Sequence, residues 1–289
     1  LFLPAEGAEG CKVVHPKLLE NEKTRDFLLD FGIKEPSLRD RIYNNILPLY
    51  KTGTPENVDE HFKLFFQYYC ECPNEQVDEY IELIKDIPFL QCRENDNRTS
   101  HYGEASSMYW PTPDLKKYFE TKPGTRFLRR RVYGKIAGSE KKKELDSFLT
   151  ELGVKKEIEI LTVAVDPSSR EDLPRPYSTG SRRWKEQKID GCQEIIDHIS
   201  GNKDQEKSEL LWKCLLSLIE AKKFDLYGRC EYFYYVNRNV EFEPSDGISL
   251  RKEPWLVTHD GKFVCAEAVT IERLWEEYDT TSPAAQTLL

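Results

Sequence analysis

The sequence predicts an α+β fold dominated by helix and built as two diverged copies of one helical unit with small β-hairpins. Three observations predict it. The phrase Phe27-Leu28-Leu29-Asp30-Phe31-Gly32-Ile33-Lys34 returns as Phe148-Leu149-Thr150-Glu151-Leu152-Gly153-Val154-Lys155. Pro88-Phe89-Leu90 returns as Pro254-Trp255-Leu256, in the same order relative to the first phrase. Apolar residues recur at i, i+3, i+4 and i+7 in several windows, the one-face pattern of a packed helix. The copies are expected over residues 1–136 and 137–289, the second carrying more chain between its glycine and its proline.

Each element has a local reason. In both copies of the first phrase the glycine follows the last apolar position, where a residue tolerating positive φ closes a helix at little cost. Gly32 and Gly153 are therefore expected as helix C-caps. Thr54-Pro55 and Thr112-Pro113 each set a capping hydroxyl before a proline suited to a first turn. The first should open a helix along Val58, Phe62, Phe65 and Tyr69, and the second a short one from Asp114 to about Glu120. Val77, Tyr80, Ile81 and Ile84 mark a further helix, as do Leu145, Phe148, Leu149 and Leu152. Leu211, Trp212, Leu215, Leu216, Leu218 and Ile219 line nearly a whole circumference, which predicts the central helix of the second copy.

Strands are fewer. Glu231 to Phe242 is rich in β-formers, and Asp260-Gly261 sets a turn between two short β runs at 255 to 264. Trp255 is expected buried against the helix of Trp212, with Phe263 across the hairpin on the same cluster. Pro167, Pro174 and Pro176 among serines predict a long loop at about 166–188.

Composition narrows the class. Of 289 residues, 39% are apolar and 12% aromatic, enough for two cores and too much for a solvating disordered chain. No apolar run approaches the roughly 18 residues a membrane helix needs, and the start lacks the succession of a secretory signal. No membrane partner and a cytoplasmic location are expected. The eight cysteines (11, 70, 72, 92, 192, 214, 230, 265) are expected as reduced thiols, and Cys70-x-Cys72 alone lacks zinc-ligand spacing. Leu1 in place of methionine, and the apolar close Ala285 to Leu289, are expected of an internal piece of a longer protein.

Catalytic motifs are missing. Gly7 to Lys12 is too short for a phosphate-binding loop, G-x-G-x-x-G is absent, and the five histidines fall in no H-E-x-x-H spacing. No cofactor, no metal and no catalytic residue are assigned. One charge anomaly stands out: residues 114–143 hold eleven bases against three acids in a chain of net charge −9. Lys116, Lys117, Arg126, Arg129, Arg130, Arg131 and Lys135 are its main candidates for contact with nucleic acid or a neighbouring domain. Arg182 and Arg183 join them, since Arg182-Arg183-Trp184-Lys185 offers a stacking ring beside two charges. The first reading of the run is a face paired with the acidic remainder or with a neighbouring domain; the alternative is a nucleic-acid-binding module. On a strand, Arg129 and Arg131 would share one face.

Several phrases together resemble a known family. They are Val14-His15-Pro16-Lys17-Leu18-Leu19, the two Phe-Leu-x-x-x-Gly-Ile/Val-Lys copies, Asn45-Ile46-Leu47-Pro48-x-Tyr50, Trp110-Pro-Thr-Pro-Asp-Leu115, Lys207-Ser208-x-Leu210-Leu211-Trp212 and Trp255-Leu-x-Thr-x-Asp-Gly-Lys-Phe. The chain resembles the region behind the GHKL-type ATPase domain in large prokaryotic sacsin-like proteins. The resemblance implies a non-catalytic middle segment that links a nucleotide domain to a distal effector, with the ATPase domain of the same polypeptide as its neighbour. It carries over no nucleotide-binding residue, because the Asp-x-Gly-x-Gly and Asn motifs of that ATPase have no match here.

Overall fold

The computed structural model describes residues 1–5, 12–97, 99–221, 223 and 226–288. Cys11 and the Gly7 to Gly10 stretch lie outside the described residues. The fold is mixed, 46% helix and 17% strand, so the expected dominance of helix holds. In chain order the helices are α1 (Glu22–Asp30), α2 (Leu38–Arg41), α3 (Leu47–Tyr50), α4 (Val58–Glu71), α5 (Asn74–Ile84), α6 (Pro113–Tyr118), α7 (Arg130–Ala137), α8 (Lys142–Glu151), α9 (Cys192–Asn202), α10 (Gln205–Glu220), α11 (Ser245–Lys252) and α12 (Pro283–Leu288). The strands are β1 (Leu90–Glu94), β2 (Ser100–Gly103), β3 (Arg126–Leu128), β4 (Ile160–Ala164), β5 (Arg182–Ile189), β6 (Gly228–Tyr234), β7 (Val236–Phe242), β8 (Leu256–Val257) and β9 (Phe263–Val264).

Two compact units form. The first takes Leu1–Pro111 and Arg126–Lys156, the second Thr112–Thr125 and Glu157–Leu289. The units therefore do not divide after residue 136, and the reason lies in α8. Its Phe148 ring sits 5.6 Å from Phe66 and 6.0 Å from Phe62 of α4, which binds this helix into the first unit.

The first unit is built around α4. Phe62, Phe65 and Phe66 turn inward on one stripe, where Phe89 meets the first two at 6.2 and 4.9 Å. The helix starts at Val58 and not at Pro55, which stands ahead of a turn. α5 buries Tyr80, Ile81 and Ile84 as its period requires, and the Tyr80 hydroxyl donates to the Phe65 carbonyl at 3.0 Å. An antiparallel sheet in the order β2-β1-β3 completes the unit. These strands were not expected, because β1 (Leu-Gln-Cys-Arg-Glu) and β2 (Ser-His-Tyr-Gly) are short and polar on one side.

In the second unit a four-stranded antiparallel sheet runs β4-β5-β6-β7. The β-rich stretch 231–242 is a hairpin, with Tyr235 at φ +61° in its turn. The expected long loop ends sooner than 188. Arg182–Ile189 forms β5 and pairs on both sides, so the loop covers 165–181. Alternation was masked there by Glu186, a charged residue buried on the inward face beside Trp184. α6 begins at Pro113, with the Thr112 hydroxyl accepting the Leu115 N–H at 3.3 Å.

α10 is the central helix, with Leu211, Trp212 and Leu215 wholly buried. Trp255 is wholly buried with its ring 6.3 Å from Trp212. β8 and β9 pair as Leu256 with Val264 and Val257 with Phe263, and Gly261 at φ +74° makes the turn that Asp260 opens. Phe263 is only half-buried, with Lys203 Nζ 5.2 Å from its ring centre.

Candidate functional site

The basic run is not one element. Residues up to Thr125 belong to the second unit and residues from Arg126 to the first. Nor does a strand run on through the arginines: β3 ends at Leu128 and α7 starts at Arg130. Arg129 and Arg131 therefore share no strand face.

Many of its charges have partners. Arg130 grips the Asp146 carboxylate through Nε (3.1 Å) and Nη2 (2.8 and 2.7 Å), and its guanidinium lies 5.3 Å from the Trp110 ring centre. Arg129 Nη1 donates to Gln91 Oε1 at 2.9 Å, and Arg126 Nε is 3.8 Å from Glu94. Lys117 pairs with Glu206. Lys116, Arg131 and Lys135 are exposed, as are Arg182 and Arg183 on β5. The stacking ring expected beside those two is corrected: Trp184 is buried with Leu173 and Cys230, its ring 5.7 Å from that of Phe242.

Buried polar groups are joined into clamps. Glu186 receives Arg170 Nη1 (3.0 Å) and both the N–H (2.9 Å) and the hydroxyl (2.6 Å) of Ser245, so it holds the start of α11 against β5. Asp246 accepts the Ile189 N–H at 2.6 Å, and burial pushes its carboxyl up to about 6. Lys207, almost wholly buried, donates to the Lys117 carbonyl (3.1 Å) and to Glu120 (2.6 Å). Burial pushes the Cys92 thiol up to about 11 and the Cys214 thiol to about 12, so neither is a ready nucleophile. Among the described residues no group of three or more His, Cys, Asp and Glu is placed to hold a metal ion.

One arrangement is built twice with matching bonds. At each proline the next N–H closes a tight turn: Phe89 to the Ile87 carbonyl (2.9 Å) and Trp255 to the Glu253 carbonyl (3.0 Å). The aromatic and the leucine that follow are wholly buried in both places. A later segment returns to the same strand, where Arg129 N–H bonds the Gln91 carbonyl and Trp275 N–H the Val257 carbonyl, both at 2.9 Å. A buried tyrosine then caps the strand. The Gln91 N–H donates to the Tyr133 hydroxyl, and the Val257 N–H to the Tyr278 hydroxyl at 3.0 Å.

A central aromatic fits beneath each tyrosine. Phe62 of α4 lies 4.2 Å from Tyr133, and Trp212 of α10 lies 5.1 Å from Tyr278. In the second case Tyr278 donates to the Ser208 hydroxyl, which donates to the Trp255 carbonyl, leaving no buried atom of the set unsatisfied. The capping roles of Tyr133, Tyr278 and Ser208 were not legible in the sequence, since a tyrosine whose partner is a backbone N–H carries no side-chain pattern.

The glycine phrases also close alike. Gly32 N–H returns to the Leu29 carbonyl and Ile33 N–H to Leu28, while Gly153 N–H returns to Thr150 and Val154 N–H to Leu149. Both glycines take positive φ, +83° and +102°. This is the expected C-cap. Their surroundings differ, because α8 buries Leu145, Phe148 and Leu149 whereas α1 buries no residue.

Comparison with known proteins identifies no relative: no family model, no curated protein and no solved structure matches this chain.

Proposed function

We propose that this chain is a non-catalytic scaffold made from one repeated unit, a middle segment of a larger sacsin-like ATPase. The supporting observation is the tyrosine-capped Pro-aromatic-Leu closure, whose backbone turn, returning strand, capping hydroxyl and central aromatic recur together at 88–133 and 254–278. Such a closure spends its polar groups on holding elements in place. The rigid elements it fixes suit the transmission of a nucleotide state from a neighbouring ATPase domain to a distal effector, in the cytoplasm. That role follows the sacsin-like phrases.

Titration of the chain with ATP and with single- and double-stranded oligonucleotides at several salt concentrations tests this reading. Neither ligand class should bind at micromolar concentration. ATP binding would contradict the scaffold role. A tight complex with DNA or RNA, weakening steeply with salt and lost on Arg131→Glu and Lys135→Glu, would favour the nucleic-acid module instead.

A further inference from the structure

Residues 1–3 and 12–34 reproduce the closing part of the first compact unit, residues 108–155. Phe2 N–H bonds the Lys12 carbonyl and Val14 N–H the Phe2 carbonyl, both at 2.9 Å. In the same way Tyr109 N–H bonds Arg126 (2.8 Å) and Leu128 N–H bonds Tyr109 (2.9 Å). Each pair forms a parallel bridge, Phe2 with Val13 and Tyr109 with Phe127. One residue on, Leu3 N–H meets the Lys34 carbonyl at 2.9 Å as Trp110 N–H meets Lys155 at 2.8 Å, and a proline follows each, Pro4 and Pro111. Residues 12–14 thus stand where β3 stands, and α1 with its Gly32 cap stands where α8 does.

The two versions differ in what covers them. β3 pairs along β1, and Phe127 is 6% exposed; residues 12–14 belong to no sheet among the described residues, and Val13 is 37% exposed. Phe148 and Leu152 of the α8 phrase are 0% and 1% exposed, whereas Phe27 and Phe31, their counterparts, are 61% and 76% exposed. The cover over β3 and α8 comes from β1 and α4, the opening part of their own unit. A patch of this kind joins a strand edge that has no sheet among the described residues to an exposed aromatic face, and in the first unit both are covered by the same two elements.

We infer that residues 1–34 are the closing part of a further unit, whose opening part lies N-terminal to residue 1 in the same polypeptide. The inference rests on the repeated-unit reading. The opening part would supply a strand entered by Pro-aromatic-Leu to pair with residues 12–14, and an aromatic-faced helix to receive Phe27 and Phe31. Asp30 occupies the place of Glu151, which accepts the Tyr69 hydroxyl of α4 at 2.9 Å, so that helix should also offer a hydroxyl. A second copy of the chain is a poorer occupant. In its second unit the matching strand β8 already pairs β9 and bridges Leu274 through Thr258, and in its first unit β1 lies between β2 and β3.

The upstream reading frame gives the first test. It should encode Pro-aromatic-Leu at the 21-residue spacing before Phe2 that separates Pro88 from Tyr109. A start codon inside that interval, or an upstream frame without the phrase, overturns the inference. The second test compares Phe27→Asp/Phe31→Asp in the 289-residue chain and in a chain extended through the upstream unit. Melting should be unchanged in the shorter chain and should fall by at least about 4 °C in the extended one. Equal effects in both would overturn it, as would self-association of the 289-residue chain that the double substitution abolishes. Failure here with intact tyrosine-capped strands would leave the repeated-unit reading standing, since those strands are read by their own amide exchange.

Discussion

Trp255 shows how much one side chain holds. It is wholly buried, its Nε1–H donates to the Leu250 carbonyl at 2.7 Å, and its ring meets Trp212. Trp255→Ala should cost about 3–5 kcal/mol, chiefly through the cavity it leaves, and should be read as a lowered denaturant midpoint. Asp246 acts in the other direction. Its carboxyl titrates near 6 in the folded chain against an ordinary 3.8, so the folded state holds its proton more tightly than the unfolded chain does. Its contribution is fully present below about pH 4 and is lost as the pH rises through about 6. Asp246→Asn can keep the bond from Ile189 N–H without the buried charge, so it should melt higher than the parent at pH 8 and alike at pH 4. The gain at pH 8 should be roughly 2 kcal/mol, and no gain would show that water or a cation reaches the carboxylate.

At the scale of elements, the strand caps make the sharpest case. Tyr133→Phe and Tyr278→Phe each remove the acceptor of a buried strand N–H while keeping the ring, and each should cost about 1–3 kcal/mol by thermal melting. Gly228 is a second pressure point. A Cβ there would run into the Phe242 ring, so Gly228→Ala should destabilise strongly and Phe242→Ala in the same chain should recover part of the loss. The helices were legible in the sequence because their apolar period is long and their ends carry local chemistry: Gly153, Thr112 and the stripe Phe62, Phe65 and Phe66 all say where a helix runs. β1, β2, β4 and β5 were not legible. Their inward faces include Glu186 and Cys92, residues whose burial depends on distant partners that local pattern cannot reveal. The repeated phrases were visible as words, yet the tyrosines that complete them lie 45 residues past Pro88 and 24 past Pro254, spacings too unlike for alignment by eye.

On the scale of the whole molecule, the chain leaves its first compact unit and returns to it, because residues 112–125 belong with 157–289. That piece divides the basic run and gives Lys117 and Lys207 their partners inside the second unit. No helix among the described residues is long and apolar enough to cross a membrane. The proposed scaffold role stands on one closure, a strand N–H held by a buried tyrosine, at Gln91 and at Val257. Amide hydrogen exchange at Gln91 and Val257 tests it most directly, in the parent and in the two Tyr→Phe variants. Both amides should exchange only on global unfolding in the parent, and each variant should speed exchange at its own strand alone. Rapid exchange of either amide in the parent would contradict it.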